Sequence, residues 1–130
     1  MRRKKILEER RESLRVSCRL EIETKAGKNW FMLNSENIGV DGMMLTCKSE
    51  VEKLKKLGID AKQNVLLSFY LPDRNDLVKV SGMVVYVKRK ANPTDGSEAS
   101  FIGVRFKDVS DHTNEQLESL MSYKGKKPFI

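Results

Sequence analysis

The chain has 130 residues, 39% hydrophobic and 33% charged, with 25 Lys and Arg against 18 Asp and Glu for a net charge of +7. That length suits one domain with a modest core, and no apolar run approaches the roughly 20 residues of a membrane-spanning helix. The one histidine, His112, and the two cysteines, Cys18 and Cys47, are too few and too scattered for a metal centre.

The N-terminus, Met1-Arg2-Arg3-Lys4-Lys5, has no long apolar stretch behind it, so no secretory leader is expected. Both cysteines lie in apolar strand patterns and read as buried free thiols, which points to a reducing, cytoplasmic location. Residues 1–19 carry eight basic residues and three acidic ones, a net +5. The remaining 111 residues carry 17 basic and 15 acidic, a net +2. The anion-seeking character therefore belongs to the N-terminal arm, which suits nucleic acid, an anionic surface, a phosphorylated ligand or simple solvation.

In residues 1–14 the Lys4/Glu8 and Lys5/Glu9 pairs run in the less favourable order and Glu8 opposes Glu12. A helix here would be marginal, so residues 1–15 are expected to form a flexible basic arm that orders when something binds it. From Val16 the period becomes two. Val16, Cys18, Leu20, Ile22 and Thr24 face one way, while Ser17, Arg19, Glu21, Glu23 and Lys25 face the other. This predicts one half-buried strand.

A turn at Ala26-Gly27-Lys28-Asn29 leads into a second strand, Trp30 to Leu33. Residues 34–42 break the pattern, and a third strand, Met43 to Cys47, resumes it, with Met43 and Met44 read as core fillers. Ser49 and Glu52 form a capping box for a short helix over 49–58 that carries Leu54 and Leu57 and ends at Gly58. Strands follow at Val65–Leu71, Val78–Val87 and Phe101–Phe106, with a hairpin loop at 92–97 between the last two. Ser110-Asp111 caps a final helix bearing Leu117, Leu120 and Met121, and 124–130 reads as a loose tail. Six strands with short connections, one inserted helix and one C-terminal helix make a mainly β fold, a barrel or a sandwich.

No nucleophile is paired with a base, no phosphate loop follows the Walker pattern and no ligand spacing suggests a metal, so an enzyme is not expected. The stronger pair of features is Arg10-Arg11-xxx-Arg15 and Asn37-Ile38-Gly39-Val40-Asp41-Gly42, separated by 22 positions from Arg15 to Asn37. They flank the first two strands, and antiparallel pairing can bring them to one end of the sheet. With Ile102-Gly103-Val104-Arg105-Phe106 and the terminal helix, these motifs resemble the PilZ domain family over about residues 10–122.

The resemblance implies a six-stranded antiparallel β-barrel, here over 16–123, that binds the bacterial second messenger cyclic di-GMP and needs no other cofactor. It implies that Arg11 and Arg15 grip phosphates and guanine edges and that Arg10 adds charge. Asn37 would read a guanine edge, and Gly42 would let the backbone turn close to the ligand. Tyr86 is a further candidate, either a stacking wall or an ordinary barrel aromatic.

One position departs from the family pattern: Gly39 stands where the family has Ser. The missing hydroxyl removes a hydrogen bond worth about 1 kcal/mol. Asp41 adds a negative charge beside Gly42, and Asn37 is neutral where Asp would be charged. Binding weaker than in a full-motif relative is the expectation. The expected role is a signalling module that changes shape on binding and acts through an unidentified protein partner. The alternatives are a PilZ-like interaction domain without nucleotide and a nucleic-acid-binding barrel, the latter disfavoured by few aromatics for base stacking.

Overall fold

The computed structural model describes residues 15–48, 51–72, 76–91 and 94–125. Chain order is β1 (Val16–Ser17), β2 (Glu21–Ala26), β3 (Asn29–Ile38), β4 (Gly42–Cys47), α1 (Val51–Lys56), β5 (Asn64–Tyr70), β6 (Leu77–Ala91), β7 (Glu98–Lys107) and α2 (Asp111–Gly125). All pairings are antiparallel. The order β3-β2-β5-β6-β7-β4 closes because β4 pairs back onto β3, giving a six-stranded barrel with β1 as a short addition beside the end of β3. Closure leaves the barrel strands without a long open edge.

The predicted alternation over 16–25 is present: Cys18, Ile22 and Thr24 are buried, and Arg19, Glu21 and Glu23 are exposed. The expected single strand is nevertheless split at 18–20. The fully buried Ser35 of β3 intrudes there. Its hydroxyl donates to the Cys18 carbonyl at 2.6 Å and accepts from the Leu20 N–H at 2.8 Å. Main-chain bonds flank it, Cys18 N–H to Glu36 carbonyl at 3.1 Å and Ser35 N–H to Leu20 carbonyl at 2.9 Å. A side chain thus bonds two main-chain groups where the strand is interrupted.

β3 is longer than the expected Trp30–Leu33, because its polar second half, Asn34 to Ile38, pairs with β4. Backbone pairing does not need an apolar period, and Ser35 satisfies its own buried polar atoms. β6 and β7 also outrun their predicted spans, since residues 88–91 pair with 98–101 as a hairpin extension.

The barrel interior holds Ile22, Leu33, Ile38, Met43, Leu45, Leu67, Val84, Ile102 and Val104, each no more than 2% exposed. Met43 is therefore core, as expected. Met44 is not: it is half-buried and points outward, as the alternation next to an inward Met43 requires. Leu54 is buried and Leu57 half-buried. The helix ends in a Schellman motif, with Gly58 at φ +94°. There Ile59 N–H donates to Leu54 carbonyl at 2.8 Å and Gly58 N–H to Lys55 carbonyl at 3.1 Å. Ser49 and Glu50 lie outside the described residues.

Ser110 does cap α2, its hydroxyl accepting from the Thr113 N–H at 3.1 Å. Leu117 and Leu120 are fully buried, and Gln116 Nε2 donates to the Leu77 carbonyl at 3.1 Å. Cys18 is buried and Cys47 only half-buried, which corrects the expectation of two buried thiols; no disulfide joins them.

Candidate functional site

β3 ends at Ile38, and the chain turns through residues 39–41 into β4. The turn is closed by Gly39 N–H donating to the Gly42 carbonyl at 2.8 Å, and it is pinned to β7 by Phe106 N–H donating to the Asp41 carbonyl at 2.9 Å. Gly42 is dictated by close approach. A Cβ there would overlap the Val104 carbonyl oxygen, a main-chain atom that cannot give way, and would sit 3.3 Å from Arg105 Cα.

Arg15 lies across this corner. The hypothetical Cβ of Gly42 would be 3.2 Å from Arg15 Nη2, and that of Gly39 would be 2.8 Å from Arg15 Cγ. Arg15 Nε lies 3.6 Å from Asp41 Oδ1, with the two side chains 34% and 32% exposed. The pairing of β1 with β3, Val16 opposite Ile38 and Ser17 opposite Asn37, brings the arginine here. Among the described residues, Asn37 Oδ1 and Asp41 Oδ1 are both shielded from water and make no hydrogen bond. Leaving a buried acceptor unmade costs about 1–3 kcal/mol. At Asn37 a ligand that donates an N–H group would recover that cost, whereas Asp41 Oδ1 already faces the Arg15 guanidinium.

Tyr86 reaches the same surface through register. Asn37 pairs with Met44, Met44 with Gly103, and Gly103 with Tyr86. These four residues form an outward row across β3, β4, β7 and β6, about 14 Å wide at the usual strand spacing. The Tyr86 ring lies against Gly103, where any Cβ would overlap it. Lys88 Nζ sits over the ring, 4.9 Å from its centroid. The neighbouring row pairs Gly42 with Arg105 and Arg105 with Met83. Arg105 is exposed beside Gly42.

The structure thus brings together Arg15, Asn37, Gly39 and Gly42, and sets Tyr86 on the same face. Arg10 and Arg11 lie outside the described residues. Lys88 joins the surface without having been singled out in the sequence, and Arg105, quoted there only within the last-strand motif, joins it as well. The signal for Arg105 was its alternation with Gly103 on the outward side of the last strand. A separate depression of about 630 Å³ lies on another wall, against Trp30, Met32, Tyr70 and Leu77. It holds none of the motif residues and is not the same site.

The PilZ domain model matches residues 9–123, nearly the whole chain. This chain belongs to the PilZ domain family. A search of curated proteins finds no match. Among solved structures, the PilZ domain of Escherichia coli YcgR with c-di-GMP superposes with a TM-score of 0.70 at 10% identity, covering 87% of this chain and 89% of that one. The Bacillus subtilis inhibitor of motility, MotI/DgrA, gives 0.62 at 12% identity, covering 87% and 48%. Borreliella burgdorferi PlzA in complex with c-di-GMP gives 0.54 at 15% identity, covering 94% and 51%. The chain spans about half the length of the latter two proteins. In this PilZ domain, as in those relatives, the shared feature is the barrel; at such identities the likeness speaks for fold. Among the described residues no helix is long and apolar enough to cross a membrane.

Proposed function

We propose that this PilZ domain is a cyclic di-GMP receptor of the cytoplasm. One observation carries the reading: the Arg15 guanidinium lies against Gly39 and Gly42, beside the Asn37 amide oxygen, which makes no hydrogen bond among the described residues. The guanidinium supplies a planar donor fork for a phosphate. The amide oxygen of Asn37 accepts from the N–H edge of a guanine. Tyr86, packed against Gly103, offers a ring on which a base stacks. Arg10 and Arg11, a few positions upstream, add guanidinium groups and are drawn to the bound phosphates. The c-di-GMP bound in the YcgR and PlzA structures supports this choice of ligand. Closing the upstream arginines over the ligand would alter the surface next to β1, and a partner protein would read that change.

Calorimetry with cyclic di-GMP tests the reading, with cyclic di-AMP as control. Binding of the guanine form only is expected. Arg15→Ala removes a charge-assisted bond worth about 1.5–3 kcal/mol, so a loss of roughly 10- to 150-fold is expected. A flat titration at high micromolar protein would reject the proposal and favour an interaction domain without nucleotide.

A further inference from the structure

Gly39, the one departure from the usual loop sequence, leaves room for Arg15 and Asp41 to meet. A Cβ at Gly39 would lie 2.8 Å from Arg15 Cγ and 3.1 Å from Asp41 Oδ1. The first separation is closer than real Cβ atoms come to a neighbour, and the second is tight. The absent side chain is therefore the space into which the arginine stem and the carboxylate both settle. Asp41 is held from behind, since its carbonyl accepts from Phe106 N–H at 2.9 Å. Its carboxylate is presented by the barrel wall, not by a long flexible stem. Asp41 Oδ1 is shielded from water, makes no hydrogen bond among the described residues and faces Arg15 Nε at 3.6 Å.

We infer that Asp41 is a positioning residue for Arg15, a resident anion that holds the guanidinium before a ligand arrives and competes with the ligand phosphate for it. Gly39 makes the competition possible. The inference rests on the cyclic di-GMP reading and adds to it what sets the affinity. Two effects point the same way. A phosphate that takes Arg15 must first break the pair, and it then sits near a carboxylate left without its partner. The pair is half-exposed, so each effect is modest and screened by salt. Removing the charge while keeping the shape should tighten binding by about three- to tenfold at low ionic strength.

The test uses the full chain, cyclic di-GMP and calorimetry on wild type, Asp41→Asn, Gly39→Ser and the double variant. Asp41→Asn is expected to bind about three- to tenfold tighter, with the gain shrinking as salt rises. In the Gly39→Ser background the gain should be smaller, because the new Cβ has already pushed arginine and carboxylate apart. Unchanged or weaker binding by Asp41→Asn overturns the inference; weaker binding would make Asp41 an acceptor for the ligand itself. If no variant binds, the receptor reading fails, and the competing pair is judged in the ligand-free protein instead. There the Arg15 Nε–H should exchange with water several-fold more slowly in wild type than in Asp41→Asn by nitrogen-15 NMR. Equal exchange rates overturn the inference whatever the ligand does.

Discussion

Replacing Ser35 by Ala removes one oxygen atom and strands two main-chain groups. The hydroxyl donates to Cys18 at 2.6 Å and accepts from Leu20 at 2.8 Å, and Ser35 is 0% exposed. Each buried group left without its partner costs about 1–3 kcal/mol. Leu20 is half-buried, so water can reach its N–H in part and its share falls at the low end. The sum is about 2–4 kcal/mol, a large part of the roughly 5–15 kcal/mol that holds a domain together. With a urea m-value of about 1.5 kcal/mol/M, the unfolding midpoint should fall by about 1–3 M with m unchanged. A midpoint within about 0.3 M of wild type would refute the idea that this hydroxyl bridges the break between β1 and β2. The same variant should bind cyclic di-GMP more weakly, because β1 carries Arg15 to the site. Ser35→Thr keeps the hydroxyl, which separates loss of the bond from loss of the side chain.

Two further outcomes are expected. Tyr86→Ala should weaken cyclic di-GMP binding by about three- to thirtyfold in calorimetry. Base stacking is worth about 1–3 kcal/mol, and displacing the Lys88 ammonium from the half-buried ring returns about 0.5–1 kcal/mol of it. Equal affinity would mean that Tyr86 only packs on Gly103. Asp95, in the β6–β7 hairpin, is held below the ordinary aspartate range by hydrogen bonds from the Ser97 side chain and N–H. Its folded-state value is depressed, so the stability it contributes is present above the unfolded-state value and disappears as pH falls through the folded one. NMR titration of the carboxyl carbon should show this low midpoint, and Ser97→Ala should raise it; no movement would contradict the cause assigned.

Local pattern carried much of the architecture. The alternation at 16–25 and the apolar run at 78–87 marked strands because a half-buried sheet repeats every two residues. Ser110 and Gly58 marked helix ends because those positions need a side-chain acceptor and a positive φ. The arginine run and the Asn37–Gly42 loop were visible as motifs, and their spacing across a strand pair pointed to one corner. Ranges failed where polar residues pair through the main chain, as in β3 from Asn34 to Ile38 and in the hairpin beyond Val87.

What the sequence by itself determined was which residues alternate, where the chain turns and where its positive charge gathers. Each of these depends on neighbours a few positions apart. Only the tertiary structure decided that Ser35 interrupts the first strand, that Tyr86 shares a row with Asn37, and that Asp41 faces Arg15. Those relations join residues 15 to about 50 positions apart, and strand register around a closed barrel is set by the packing of all six strands at once.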